Sequence, residues 1–133
     1  MKLDQITILL NSIAPLEQAA DWDNVGLLLE PKQTATIQRV LLTIDLTESV
    51  VKEAIDKKVN LIICYHPILF NPIQSLCISF PADRNILSLI QKKIALYSPH
   101  TAIDHVIGGV NDWLIDGCGI GEITLINPSK DQL

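Results

Sequence analysis

A strand–helix–strand pattern between Arg39 and Cys64 constrains the fold of this chain more than any other feature. An apolar, β-rich run covers residues 39–44. A second apolar run, Leu61–Cys64, is short and bounded by polar residues, which is typical of a strand buried on both faces. Thr47 lies between the two runs and is suited to cap a helix. The spacing predicts two parallel strands joined by a right-handed helical crossover.

The same alternation continues on both sides of this unit. Besides the crossover helix, helices are predicted from Leu3 and from Pro81. A short strand is predicted over Ile94–Tyr97 and a last strand over Ile120–Ile126. Alternating strands and helices predict an α/β fold, here a three-layer lobe with a mostly parallel sheet flanked by helices on both faces. The 133 residues suit a single domain.

Composition excludes several classes of protein. The formal net charge is −5 and no basic cluster stands out, so nucleic-acid binding through phosphates is not supported. The three cysteines form no CxxC pair, which argues against a thiolate zinc site. We find no signal-peptide pattern and no apolar run near the roughly 20 residues that span a membrane. A cytoplasmic location without membrane contact is therefore expected.

Polar side chains follow three of the predicted strands at the point where each strand ends. Asp45 follows the first strand, Tyr65 and His66 follow the second, and His100 follows the third. Because the carboxyl ends of parallel strands meet at one edge of a sheet, we expect these side chains to lie side by side. An imidazole there can bind a metal or carry a proton, and the alternative is a histidine that is hydrogen-bonded to loop backbone.

Asp104 adds a carboxylate to this edge. It follows His100 by one helical turn, so the two side chains share a face if the segment is helical. Two imidazoles and a carboxylate form a ligand set suited to zinc, manganese or iron. The alternative is a chance grouping, since every fold of this kind has polar residues at that edge.

Asp23 and Asn24 form a second polar group, just before Val25 and Gly26. Carboxylate and amide oxygens of this kind bind hard cations. However, no further ligand lies nearby in the sequence. We therefore favour the interpretation that Asp23 and Asn24 hydrogen-bond local backbone and fix a tight turn into a strand.

Four ordered segments resemble the N-terminal half of the GTP cyclohydrolase 1 type 2 family, also called the Nif3-like dinuclear-metal proteins. They are Trp22–Leu27, Leu42–Thr47, Tyr65–Phe70, and His100–Asp104 together with 108–112. The similarity covers nearly the whole chain. It implies a three-layer α/β lobe that carries half of a two-metal site, in a protein that assembles as a ring-shaped homohexamer.

The resemblance also implies roles for individual residues. The first lobe of the family supplies a pair of histidines and an aspartate. His66 matches the second histidine and Asp104 matches the aspartate. Tyr65 stands where many members have the first histidine, and it could reach a metal only as a phenolate. His100 matches a position beside the metals, and Asp45 lies near it at the predicted edge.

What the resemblance implies about function is a metal-dependent hydrolase. Its cofactors would be divalent zinc, manganese or iron, two per complete site, and its substrate a small molecule or nucleotide such as GTP. The family's second lobe supplies a further His and Glu, and no such pair follows Asp112 here. We therefore expect 1–133 to be a single N-terminal lobe. The alternative is a non-catalytic lobe that binds copies of itself or a regulatory partner.

Overall fold

The computed structural model describes residues 1–32 and 36–124. Within these ranges the chain forms nine helices and strands and one short 3₁₀ turn, Leu16–Gln18. In chain order they are α1 (Leu3–Ile13), β1 (Gly26–Leu29), β2 (Val40–Thr43), α2 (Glu48–Asp56), β3 (Leu61–Cys64), α3 (Pro81–Lys92), β4 (Ala95–Ser98), α4 (His100–His105) and α5 (Val110–Asp116).

The four strands form one sheet in the order β1-β4-β3-β2. Strands β2, β3 and β4 are parallel, with Val40 opposite Leu61 and Leu61 opposite Ala95. Strand β1 runs antiparallel to β4 at one edge. The predicted mostly parallel sheet is confirmed, and the carboxyl ends of its three parallel strands therefore lie along one rim.

Two apolar clusters cover the two faces of the sheet. Leu61 and Ile62 belong to different clusters, because successive strand residues point to opposite faces. Ile62 packs with Ala54 of α2 and Leu89 of α3, while Leu61 packs with Leu3 of α1. Helices on both faces give the predicted three-layer lobe.

The loop between β2 and α2 has a defined geometry. The Thr47 side chain accepts a hydrogen bond from the Val50 amide at 3.3 Å, so the predicted helix cap is confirmed. The Thr43 hydroxyl donates to the Asp45 carbonyl at 2.9 Å. These two bonds fix the path of the chain immediately around Asp45, at the rim of the sheet.

The last predicted strand, Ile120–Ile126, is not observed over its described part. Residues 120–124 adopt no regular structure, and Ile120 and Ile123 are exposed, while 125 and 126 lie outside the described residues. Alternating apolar residues become a strand only where a neighbouring strand accepts their backbone hydrogen bonds. Across 1–32 and 36–124, no helix is long and apolar enough to cross a membrane.

Candidate functional site at the rim of the sheet

The structure brings the predicted residues together at the carboxyl ends of the parallel strands. The ring centroids of Tyr65 and His66 are 5.0 Å apart, those of Tyr65 and His100 are 5.5 Å apart, and those of His66 and His100 are 5.7 Å apart. Asp45 bonds to the His66 ring, and Asp104 accepts a hydrogen bond from the Tyr65 hydroxyl. We use the name rim cluster for these five residues together with Asp23 and Thr101.

His66 is held by a carboxylate rather than by loop backbone. Its Nδ1 lies 2.7 Å from Asp45 Oδ1, and both side chains are at least half exposed. A carboxylate accepts hydrogen bonds, so Nδ1 carries the hydrogen and the neutral ring keeps its lone pair on Nε2. No described residue bonds to that Nε2 atom, which leaves it available to a ligand.

His100 has the same arrangement in a more buried setting. Its Nδ1 lies 2.8 and 2.9 Å from the two carboxylate oxygens of Asp23, whose side chain is 0% exposed. The φ of His100 is +29°, a strained backbone conformation for a residue with a side chain, and such strain is concentrated at functional sites. The ring is therefore oriented by both its partner and its backbone.

Asp23 also binds the first turn of α4. It accepts hydrogen bonds from the Thr101 amide at 3.1 Å and from the Thr101 hydroxyl. Burial raises the pKa of Asp23, but the hydrogen bonds from Thr101 and His100 outweigh burial and hold the pKa below its usual 3.8. Asp23 is thus a buried, ionised carboxylate that orients the rim cluster.

The interpretation of Asp23 and Asn24 as purely local turn residues is wrong. Asp23 accepts from the Asn24 amide at 2.7 Å, as predicted. It also bonds to His100 and Thr101, which lie 77 and 78 residues away, and the Asn24 side chain donates to the Leu69 carbonyl. Sequence spacing carries no information about such pairs. The signal that the sequence did offer is that Asp23 and Asn24 lie in the first of the four segments that resemble the family.

Tyr65 and Asp104 form the third hydrogen-bonded pair. The Tyr65 hydroxyl donates to Asp104 Oδ1 at 2.6 Å. Burial, together with the bond to Asp104 and the charges of Asp104 and Asp23, raises the pKa of Tyr65 to about 12. Tyr65 is therefore a neutral phenol near pH 7, and it orients Asp104 as a donor instead of acting as a phenolate.

The fit of these residues to a metal is partial. Imidazole nitrogen and carboxylate oxygen are suitable donors, and His66 Nε2 and the second oxygen of Asp104 have no partner among the described residues. However, no three His, Cys, Asp or Glu side chains in 1–32 and 36–124 converge closely enough to hold an ion. A catalytic zinc typically has three protein ligands, so the described residues supply the right donor types in too small a number.

An aromatic wall borders the rim cluster. The Trp22 ring lies 6.2 Å from the His100 ring and 6.1 Å from the Phe70 ring. Both Trp22 and Phe70 are exposed to solvent. Two exposed aromatic faces beside a polar cluster are suited to bind a flat, apolar part of a ligand.

The amino-acid sequence matches the Duf34/NIF3 (NGG1p interacting factor 3) family over residues 1–133. The chain belongs to the Duf34/NIF3 family. The resemblance stated from four short segments is therefore confirmed, and the rim cluster is drawn from those same segments.

Curated and solved relatives support the assignment to Duf34/NIF3. NIF3-like protein 1 of Drosophila melanogaster is 46% identical over 127 residues, covering 96% of this chain and 44% of the relative. NGG1-interacting factor 3 of Saccharomyces cerevisiae is 40% identical over 130 residues, covering 91% and 45%. A Bacillus cereus protein related to NIF3 has a similar structure, with 32% identity and a TM-score of 0.87, covering 97% and 35%. The chain thus spans less than half the length of these relatives.

Proposed function

We propose that this chain is one lobe of a metal-dependent hydrolase and carries part of its metal site. The observation that supports this proposal is the pair of rim imidazoles, His66 and His100, each with Nδ1 bonded to a carboxylate. Proteins orient metal-binding and proton-carrying histidines in this way, because the bond at Nδ1 fixes the ring and directs Nε2 outward.

Each residue of the rim cluster then has a role. His66 Nε2 and Asp104 would hold a divalent zinc, manganese or iron ion. When bound, this ion would act as a Lewis acid and polarise the substrate bond that water attacks. Tyr65 orients Asp104 through its 2.6 Å hydrogen bond. His100 Nε2 would accept the proton that the attacking water loses, and the Asp23 carboxylate would stabilise the imidazolium that results.

The substrate class that we propose is a small molecule with a flat ring, such as a nucleotide. The support is the wall of Trp22 and Phe70 beside His100, since aromatic side chains stack on heteroaromatic rings. GTP is the first compound to test, because the resemblance of the sequence segments implies it.

The remaining ligands would come from outside this chain. A complete site needs at least one protein ligand beyond His66 and Asp104. The chain covers 44% of the Drosophila relative, so a relative has ample further length to supply the missing donors. We accordingly expect this chain by itself to bind metal weakly and to turn over little substrate.

Metal content tests the proposal, because His66→Ala removes one of only two proposed ligands. We expect the unmodified chain to lose most zinc on dialysis. The apparent affinity of His66→Ala for zinc should be at least tenfold lower than that of the unmodified chain. His105→Ala is the matched control, because His105 Nδ1 lies 2.7 Å from the Gln18 carbonyl, outside the rim cluster. Metal content is measured by mass spectrometry.

Two results would contradict this proposal. Equal zinc affinity in the unmodified chain and in His66→Ala would remove His66 from the site. Near-stoichiometric zinc that depends on His66, together with GTP turnover by the chain alone, would show that a complete site exists without further ligands.

A protein-binding role is the second candidate function. It is favoured by Ile107 and Trp113, which are 88% and 74% exposed around the start of α5, and by the name of the yeast relative, NGG1-interacting factor 3. NGG1p is therefore the probe. Binding of NGG1p that is unchanged in His66→Ala and lost in Trp113→Ala would support this role. Self-association into a homohexamer, as the family resemblance implies, belongs to the same proposal.

A further inference from the structure

An apolar groove lies between the end of α1, helix α4 and helix α5. Its volume is about 320 Å³, and the apolar side chains that line it are Ile13, Ile103, Val106, Ile107, Val110 and Trp113. Ile13, Ile107 and Trp113 are exposed to solvent. Single exposed apolar side chains are ordinary, whereas a contiguous set that lines a groove is typical of a binding surface. The groove shares no residue with the rim cluster, so the proposed metal chemistry does not account for it.

Helix α5 has less packing than any isolated helix of its length would need. It has seven residues, Val110–Asp116, and none of them is buried in the described structure. A helix this short is unstable by itself in water, and helices in proteins are stabilised mainly by packing an apolar face. Val110, Trp113 and Leu114 have the i, i+3, i+4 spacing of such a face, and Trp113 and Leu114 are exposed. This face is therefore available to a partner.

The groove lies in an acidic part of the molecule. Residues 3–31 and 94–124, which include α1, α4 and α5, contain carboxylates and no lysine or arginine. Asp112 borders the groove, because it accepts a hydrogen bond from the Gly108 amide at 2.6 Å. Asp116 follows Asp112 by one turn of α5, and both side chains are exposed. A partner with basic residues would therefore meet charges of opposite sign beside the groove.

We infer that this groove binds a basic amphipathic helix of a partner protein. The apolar face of such a helix fills the groove, while its lysines and arginines face Asp112 and Asp116. The inference rests on the protein-binding candidate proposed above and names the chemistry of its partner, and it uses neither His66 nor a metal. The carboxylates disfavour nucleic acid, anionic membranes and the same groove of a second copy, because all three carry negative charge.

The first test uses a synthetic helical peptide of leucine and lysine, with leucines at i, i+3, i+4 and i+7. Its binding to the full chain is measured by titration calorimetry. We expect the peptide to bind, with an affinity that falls roughly tenfold in Trp113→Ala, because buried tryptophans dominate such interfaces. Ile78→Ala is the matched control, since Ile78 and Trp113 are both 74% exposed and Ile78 lies outside the groove. Circular dichroism checks that both variants are folded.

The second test addresses charge. A peptide with glutamate in place of lysine should not bind. Asp116→Lys should weaken binding of the leucine–lysine peptide, and added salt should reduce the difference between this variant and the unmodified chain. Glu30→Lys is the control, because it makes the same change in net charge at an exposed position outside the groove. We expect Glu30→Lys to bind the peptide nearly as well as the unmodified chain.

Several results would overturn the inference. They are failure of the leucine–lysine peptide to bind, equal binding of the lysine and glutamate peptides, and equal affinity in Trp113→Ala and the unmodified chain. Trp113-dependent binding to vesicles of phosphatidylcholine and phosphatidylglycerol, or Trp113-dependent self-association, would assign the groove to a membrane or a second copy instead. Binding of NGG1p without binding of the peptide would reject the inference and keep the protein-binding role. Peptide binding that depends on Trp113, without binding of NGG1p, would support the inference and reject NGG1p as the partner.

Discussion

At the residue scale, the Asp23 carboxylate connects more of the rim cluster than any other described group. It is fully buried and accepts hydrogen bonds from the His100 ring, from the amide and hydroxyl of Thr101, and from the Asn24 amide. Such a carboxylate stabilises the fold only while all its partners are present. Its removal would leave buried donors without an acceptor.

We predict that Asp23→Ala lowers the free energy of unfolding by about 3 kcal/mol, because it leaves several hydrogen-bond donors without an acceptor at once. Asp21→Ala is the control. Asp21 is exposed two positions away, and its replacement should change the free energy by no more than about 0.5 kcal/mol. Urea unfolding monitored by circular dichroism measures both values. Equal free energies of unfolding for Asp23→Ala and the unmodified chain would show that the hydrogen bonds of Asp23 contribute nothing to the stability of the fold.

The pH dependence of stability provides a second measurement of the contribution that Asp23 makes to the fold. The pKa of Asp23 is lower in the folded protein than its usual 3.8. Its contribution to stability is therefore fully present above the unfolded-state value and is lost as pH falls through the lower folded-state value. We expect the acid-induced loss of stability to be smaller in Asp23→Ala than in the unmodified chain.

The sequence predicted every residue of the rim cluster except Asp23 and Thr101, four of them from strand ends and Asp104 from its helical spacing to His100. Asp45, His66 and His100 were predicted to meet because each follows a parallel strand, and their rings and carboxylates are indeed adjacent. The bond from Tyr65 to Asp104 and the bond from Asp23 to His100 were not predicted. These pairs depend on how α4 and the segment before β1 pack, which no local pattern encodes.

At the element scale, the capped helix α2 fixes the loop that carries Asp45. Helix α2 begins immediately after the Asp45 turn, and Thr47 satisfies one of its free amides. The last predicted strand shows the limit of pattern alone, because residues 120–124 lie within the predicted strand and yet adopt no regular structure. A helix satisfies its own backbone, whereas a strand depends on a partner.

We predict that Thr47→Ala destabilises the fold by about 1 kcal/mol through loss of the cap. Thr7→Ala serves as the control. The Thr7 hydroxyl bonds to the Asp4 carbonyl within α1, and its replacement should have a smaller effect, since such back-bonding adds little to a helix. Thermal unfolding compares the two variants. A larger loss in Thr7→Ala would contradict the role given to the cap.

At the scale of the whole molecule, the sheet aligns two carboxylate-bound imidazoles along one rim. The chain spans 35% of the Bacillus cereus structure that it resembles. The fold was predictable because one βαβ crossover and its neighbours determine most of a parallel sheet. The ligand set expected from the sequence, two imidazoles and a carboxylate, is not brought together, because the described residues contain no group of three side chains that could hold a metal ion.

The central claim is that His66 presents Nε2 to a metal while Asp45 holds Nδ1. The most direct test is a zinc titration followed by long-range ¹H–¹⁵N NMR of the three imidazoles. Without zinc, we predict that the hydrogen of His66 is on Nδ1. With zinc, the Nε2 signal of His66 should shift while that of His105 stays constant. A His66 ring that carries its hydrogen on Nε2, or three imidazoles that respond alike to zinc, would contradict the account.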